Sequence, residues 1–294
     1  MCELFAISSL VPTTVSFSMA EFSRHGGLTG RHKDGWGIAF YAENDVQIIR
    51  ETVPAVESDY LHCLRDHNFF SNLIISHIRL ATQGKIAVKN TQPFCRELAG
   101  KMHVFAHNGD LKNIQTSQRL KLGRYLPVGE TDSEYAFCSL MNLMEDLWTS
   151  TKQPTLEARL EIISDFAAII RNFGPANFLY SDSEILFIHG HKRTQKDHRG
   201  IRPPGLFTLR RTCCQHRTPR KIKGLTLDQG IEKQEVLLVA SVPLTEENWI
   251  PLAEGEIRAI AQGNILKAVT NFSESKILDD SLLLMQAGAS PSNE

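Results

Sequence analysis

MCELFAIS, residues 1–8, sets a cysteine directly behind the initiator methionine and runs on into an apolar segment that reads as a β-strand. Taken plainly, Cys2 is a small residue near a terminus. Its position also permits a second reading. Once Met1 is removed, thiol and free α-amino group belong to one residue. An α-amine has a reference pKa of about 7.7–8.0, so near neutrality it can collect the thiol proton and return one to a leaving amine. Methionine removal generally requires a small second residue, and cysteine qualifies.

Working outward, short apolar runs bounded by turn residues dominate the first half. DGWGIAFYAE, DVQIIRE, NLIISHIRLA and KMHVFAHNG read as strands, with a turn at Glu43-Asn44 and the turn-forming dipeptide Asn108-Gly109 closing the last. ESDYLHCLRDHNF has helical spacing. A longer helix is expected after Thr131 and Asp132, and another from Thr155 as cap to Gly174 as stop. Strands return in ANFLYSDSEILFIHGH, whose SDSE is a hairpin turn, and in EVLLVASVPL. A short helix at Leu282–Met285 and a loose tail end the chain. Strands, two long helices, then strands describe a layered α+β architecture.

The chain has 294 residues and a formal net charge of -1, with 42% hydrophobic and 22% charged residues. That balance gives no reason to expect a nucleic-acid or anionic-membrane partner. No apolar run approaches the ~20 residues needed to span a bilayer, and no charged n-region precedes an apolar stretch. Six cysteines in a chain of this length form no dense disulfide framework, which fits a reducing cytoplasm. The basic stretch 189–227, in which Asp197 is the only acidic residue, reads as solvated loop surface, or as contacts to an anionic substrate or partner. Cofactor signatures are missing: GGLTGRHKDGWG lacks a dinucleotide or phosphate-loop order, and CCQH (213–216) lacks a second ligand cluster for zinc. Neither cofactor nor metal is expected.

An acyl-transfer site would need more than a thiol. Asn108 with the backbone N–H of Gly109 can supply two donors to an oxyanion. Arg79 in SHIRLAT offers a guanidinium fork for a carboxylate, and Asp132 in TDSE a carboxylate for an ammonium. Each also has a plain reading, as hairpin turn, surface charge and helix cap.

Their order along the chain resembles the class II glutamine amidotransferases of the N-terminal-nucleophile hydrolase superfamily, above all the stand-alone bacterial type with only a glutaminase domain. MCELFAIS, RHGG…HKDGWGIAFY, SHIRLAT, NTQPF, FAHNGDL and TDSE carry the resemblance over roughly residues 2–260. It implies a four-layer αββα sandwich, with the glutaminase domain at 2–265 and an extension or tail at 266–294. It implies hydrolysis of the γ-amide of glutamine, or of a γ-glutamyl compound such as a glutathione conjugate, through a Cys2 thioester. Asn108 and Gly109 would form the oxyanion hole. Arg79, with Thr82 nearby, and Asp132 would bind substrate, while His77 and His107 would orient loops or pack. The ammonia would pass to a separate synthase subunit or serve no acceptor. A homo-oligomer and a silent, regulatory scaffold are the remaining alternatives.

Overall fold

In a computed structural model, residues 2–13, 16–28, 30, 32–66, 69–149, 153–195, 200–214 and 233–270 are described. The chain enters through β1 (Glu3–Thr13), helix α1 (Ser16–His25), the hairpin β2 (Trp36–Ala42) and β3 (Asp45–Glu51), helix α2 (Asp59–Asp66) and β4 (Ser71–Ile78). The hairpin β5 (Phe94–Leu98) and β6 (Lys101–Gly109) leads into α3 (Asp132–Trp148) and α4 (Leu156–Ile170). Next come β7 (Ala176–Ser181), β8 (Leu186–Gly190) and the short pair β9 (Arg193–Thr194) and β10 (Ile201–Arg202). The described chain closes with β11 (Phe207–Cys214), β12 (Lys233–Ala240), β13 (Ile250–Pro251), β14 (Glu256–Ala261) and β15 (Asn264–Thr270).

Besides the small β9–β10 pair, two large antiparallel sheets result among the described residues, one ordered β13-β11-β12-β1-β4-β2-β3 and the other β15-β14-β8-β7-β6-β5. Strand alternation explains how they stack. In β1, Leu4 and Ala6 join Ile75, Val104, Leu179, Ile188 and Val239 in a core between the sheets. Phe5 and Ile7 point the other way and pack with Phe22 of α1 and Leu61 of α2. In β6, Val104 and Ala106 face the inter-sheet layer, while Phe105 faces Phe137 of α3 and Phe166 of α4. Each sheet is covered on both faces, so its central strands read as near-continuous apolar runs. The layering is helix, sheet, sheet, helix: the αββα sandwich that the resemblance implied.

Several local readings change. Asn108 and Gly109 are the last residues of β6, paired with Asn177 and Ala176, and not a hairpin turn. The α-helix before Gly174 stops at Ile170 and gives way to a single 3-10 turn, Arg171–Phe173. The basic stretch is not solvated loop throughout, since it contains β9, β10 and β11 and buries Arg193 and Arg211. β15 runs through residue 265, so a domain end there would cut a strand. The expected helix at 282–285 and the CCQH histidine lie outside the described residues.

Candidate active site

Cys2 immediately precedes β1, the middle strand of its seven-stranded sheet. Strand β4 pairs beside it with Glu3 opposite Ile78, which brings the chain after β4 against the cysteine. The Leu80 N–H donates to Cys2 Sγ at 3.3 Å, and the thiol lies 3.4 Å from the Leu80 carbonyl. Burial raises the thiol's pKa, and the Leu80 amide pulls against that rise.

Arg79 is the first residue beyond β4 and is buried, which removes the surface-charge reading. Its guanidinium donates to the carbonyls of Gln83 (3.0 Å), Gly84 (3.3 Å) and Asp34 (3.5 Å). Asp34, from HKDGWG, in turn accepts the Ala81 N–H at 2.8 Å. Its described hydrogen bonds go to neutral carbonyls, with the Asp34 carboxylate acting on it only through space, which leaves a buried guanidinium suited to an anion.

Asp132 opens α3, directly after the cap Thr131, whose hydroxyl accepts from Glu134 N at 3.2 Å. The Asp132 carboxylate accepts the Leu111 N–H at 2.7 Å. Ser133 beside it lies 2.9 Å from His107 Nδ1, and His107 Nε2 lies 3.3 Å from the Pro175 carbonyl. That carbonyl can only accept, so the imidazole carries its proton on Nε2 and Nδ1 accepts from Ser133. Burial lowers the His107 pKa, despite the nearby Asp132 charge, and lowers that of the fully buried His77 further. Both rings are neutral near pH 7.

These groups converge. Cys2, Arg79, Thr82, Gly109 and Asp132 line one cavity. Asn108 is not among the lining groups. It reaches the site through the cysteine backbone, its side-chain amide donating to the Cys2 carbonyl and to Ser241 Oγ (3.2 Å). Gly109 is required by close approach, because a Cβ there would stand 1.7 Å from the Pro175 carbonyl oxygen.

The cavity also contains residues that the motifs did not single out: Gln83, Asn90, Gln92 and Ser133, besides His107. Gln92 accepts from His107 N (2.6 Å) and donates to its carbonyl (3.2 Å), clipping NTQPF to the end of β6. Asn90 and Gln92 lie inside NTQPF, Ser133 inside TDSE and His107 inside FAHNGDL, so membership of those motifs was the available signal. His189 and His191, which share a face with ring centroids 6.3 Å apart, are both buried and stand outside this cavity. Among the described residues no cluster of His, Cys, Asp or Glu could hold a metal ion. No described helix is long and apolar enough to cross a membrane.

Comparison with known proteins shows the family. The chain is 33% identical over 273 residues to YafJ of Escherichia coli (strain K12), itself assigned as a glutamine amidotransferase by inference; the alignment covers 90% of this chain and 98% of that one. The 2.0 Å crystal structure of a predicted glutamine amidotransferase from Pseudomonas aeruginosa is 32% identical, with a TM-score of 0.63, over 90% of this chain and 100% of that one. Glutamine phosphoribosylpyrophosphate amidotransferase of Bacillus subtilis, complexed with ADP and GMP, shares the fold at 16% identity and a TM-score of 0.57. That match spans 92% of this chain and 49% of the Bacillus one. With residues 1–281 matching the class-II glutamine amidotransferases as a family, the chain belongs to that family.

Proposed function

We propose that this chain carries out the glutaminase half-reaction, and that Cys2 is its nucleophile once Met1 is removed. In this reading the α-amine takes the thiol proton while Sγ attacks the γ-carbonyl carbon of the substrate amide. The resulting tetrahedral oxyanion is met by the Gly109 N–H and by Asn108, which turns its amide from the Cys2 carbonyl toward it. The C–N bond breaks as the α-ammonium returns its proton to the leaving nitrogen, giving ammonia and a γ-glutamyl thioester. Water, deprotonated by the same amine, then hydrolyses the thioester to glutamate and regenerates the thiol. Arg79 takes the substrate α-carboxylate, Asp132 the α-ammonium, and Thr82 a neighbouring polar contact.

One observation carries this reading: Cys2, Arg79 and Asp132 face a single cavity. A thiol between a fixed cation and a fixed carboxylate suits an amide whose far end is an α-amino acid. It also disfavours a silent scaffold and an ordinary acyl-amide hydrolase, neither of which needs that pair. The ammonia goes to water or to an acceptor on a separate subunit, and the glutaminase domain extends at least through β15.

Intact and peptide mass after treatment with 6-diazo-5-oxo-L-norleucine tests the proposal. Loss of Met1 with one adduct on Cys2 supports it. Retained Met1 in active protein, or an adduct elsewhere, overturns it. Parallel turnover of glutamine and γ-glutamyl conjugates separates the two substrate classes.

A further inference from the structure

Arg193 was the first arginine of the basic stretch that could have faced an anionic substrate, yet it is only 6% exposed and points into the protein. Its guanidinium donates through Nη1 to the Ser241 carbonyl, and its Nη2 lies 3.8 Å from the Glu3 carboxylate. Glu3 is itself buried, and its other oxygen lies 2.7 Å from His25 Nδ1 at the end of α1. An ionic cluster thus sits one residue from the nucleophile and outside the cavity that would hold substrate.

Both partners of Arg193 lead to the reacting residue. Glu3 is covalently joined to Cys2. Ser241 follows β12 and holds the start of β1 from the side: its N–H donates to the Leu4 carbonyl at 3.0 Å, and its Oγ accepts the Leu4 N–H at 3.0 Å. The same Oγ accepts from Asn108, whose amide also grips the Cys2 carbonyl. A burial cost this large for four polar side chains needs a compensating role.

We propose that Arg193 is a positioning residue for the nucleophile, sharing with His25 the pairing of the Glu3 carboxylate one residue from the Cys2 α-amine and fixing, through Ser241, the backbone that Cys2 and Asn108 share. This rests on the reading of Cys2 as nucleophile and its amine as base. A carboxylate one residue away that loses part of its compensation would favour the ammonium, which is useless as a base; a fully paired one does so less. Glu3 is held in its ionised form. Burial opposes that, but the His25 hydrogen bond and the charges of His25, His32 and Arg193 outweigh it. Among the described residues, Arg79 beyond β4 and Asp132 on α3 also act on Cys2, and Asp34 before β2 acts on Arg79. None of these three is altered by substitutions at Glu3 or Arg193.

The test is the pH profile of kcat/KM for glutamine hydrolysis by the full chain, with Met1 removal checked by mass, for Glu3→Gln, Arg193→Gln and the double variant. Arg193→Gln moves the acid limb up by roughly half a pH unit or more, and Glu3→Gln moves it down. The double variant returns the limb toward the wild type. Because Ser241 loses its clamp, kcat for Arg193→Gln falls about tenfold with KM little changed. A purely structural pair would move both limbs together or neither, and either result overturns the inference. If Arg193→Gln does not fold, Glu3→Gln decides alone, an unmoved limb being fatal. Wild-type protein that takes no Cys2 adduct from the diazo-oxo-norleucine reagent would sink the underlying reading as well. A labelled wild type with unmoved limbs would sink only this one.

Discussion

At the residue scale, the site divides into groups that act and groups whose shape is forced. Cys2→Ala removes the thiol while keeping a small residue for methionine removal, so glutamine hydrolysis should fall by about a thousandfold or more. Near-wild-type hydrolysis by that variant would end the mechanism. Asp132→Asn is a gentler probe. An asparagine oxygen can still accept the Leu111 N–H, so the fold stays put while the charge goes. We expect KM for glutamine to rise about tenfold or more, with the melting temperature within a few degrees of wild type. An unchanged KM would remove Asp132 from the substrate clamp. Gly109→Ala should cost activity and stability together, because the added methyl meets the Pro175 carbonyl, which belongs to the backbone and cannot rotate away.

At the element scale, two features set stability and its pH dependence. The Thr131 cap fixes the first turn of α3 and with it the place of Asp132, so Thr131→Ala should cost about 1 kcal/mol in urea unfolding. Burial lowers the pKa of His103 on β6 and of His189 on β8 to about 3, and both rings sit fully enclosed. The unfolded chain binds protons on these histidines near pH 6.5, well above where the folded chain does. Their contribution is therefore whole above about pH 6.5 and lost as pH falls toward 3, at about 1.4 kcal/mol per pH unit for each ring. The urea midpoint should drop steeply between pH 7 and pH 5. His189→Gln should flatten that drop, and equal slopes in the two proteins would refute the assignment.

Elements also show what the sequence could disclose. Strand β1 and helices α3 and α4 were legible from apolar periodicity and caps. Strand β11 was not, since FTLRRTCC lies among charges and its arginines spoil the apolar run, although Arg211 is buried by its ion pair to Glu247. The β14–β15 hairpin turns at Gln262-Gly263, both at positive φ, a geometry usually signalled by Asn-Gly. Asn-Gly itself, at 108–109, marks a strand end. The candidate site was legible as an ordered set of short motifs. Gln83 was less so, because it stands just outside SHIRLAT and only the folded chain brings it to the cavity.

At the scale of the whole molecule, three apolar layers alternate with two sheets, and the cysteine stands at the rim of the middle layer. The strand that holds it, β1, comes first among the described strands, and its neighbour β12 spans residues 233–240. Pairing β1 with β12 closes a loop of more than two hundred residues, and such long-range pairing is slow to form. On a ribosome, β1 therefore emerges long before the strand that completes its setting, and Ser241 arrives later still. A chain truncated before β12 should retain the Cys2 thiol yet take no adduct from the glutamine mimic. Labelling of Cys2 thus reports not merely the presence of a nucleophile but the completed synthesis of the sheet around it.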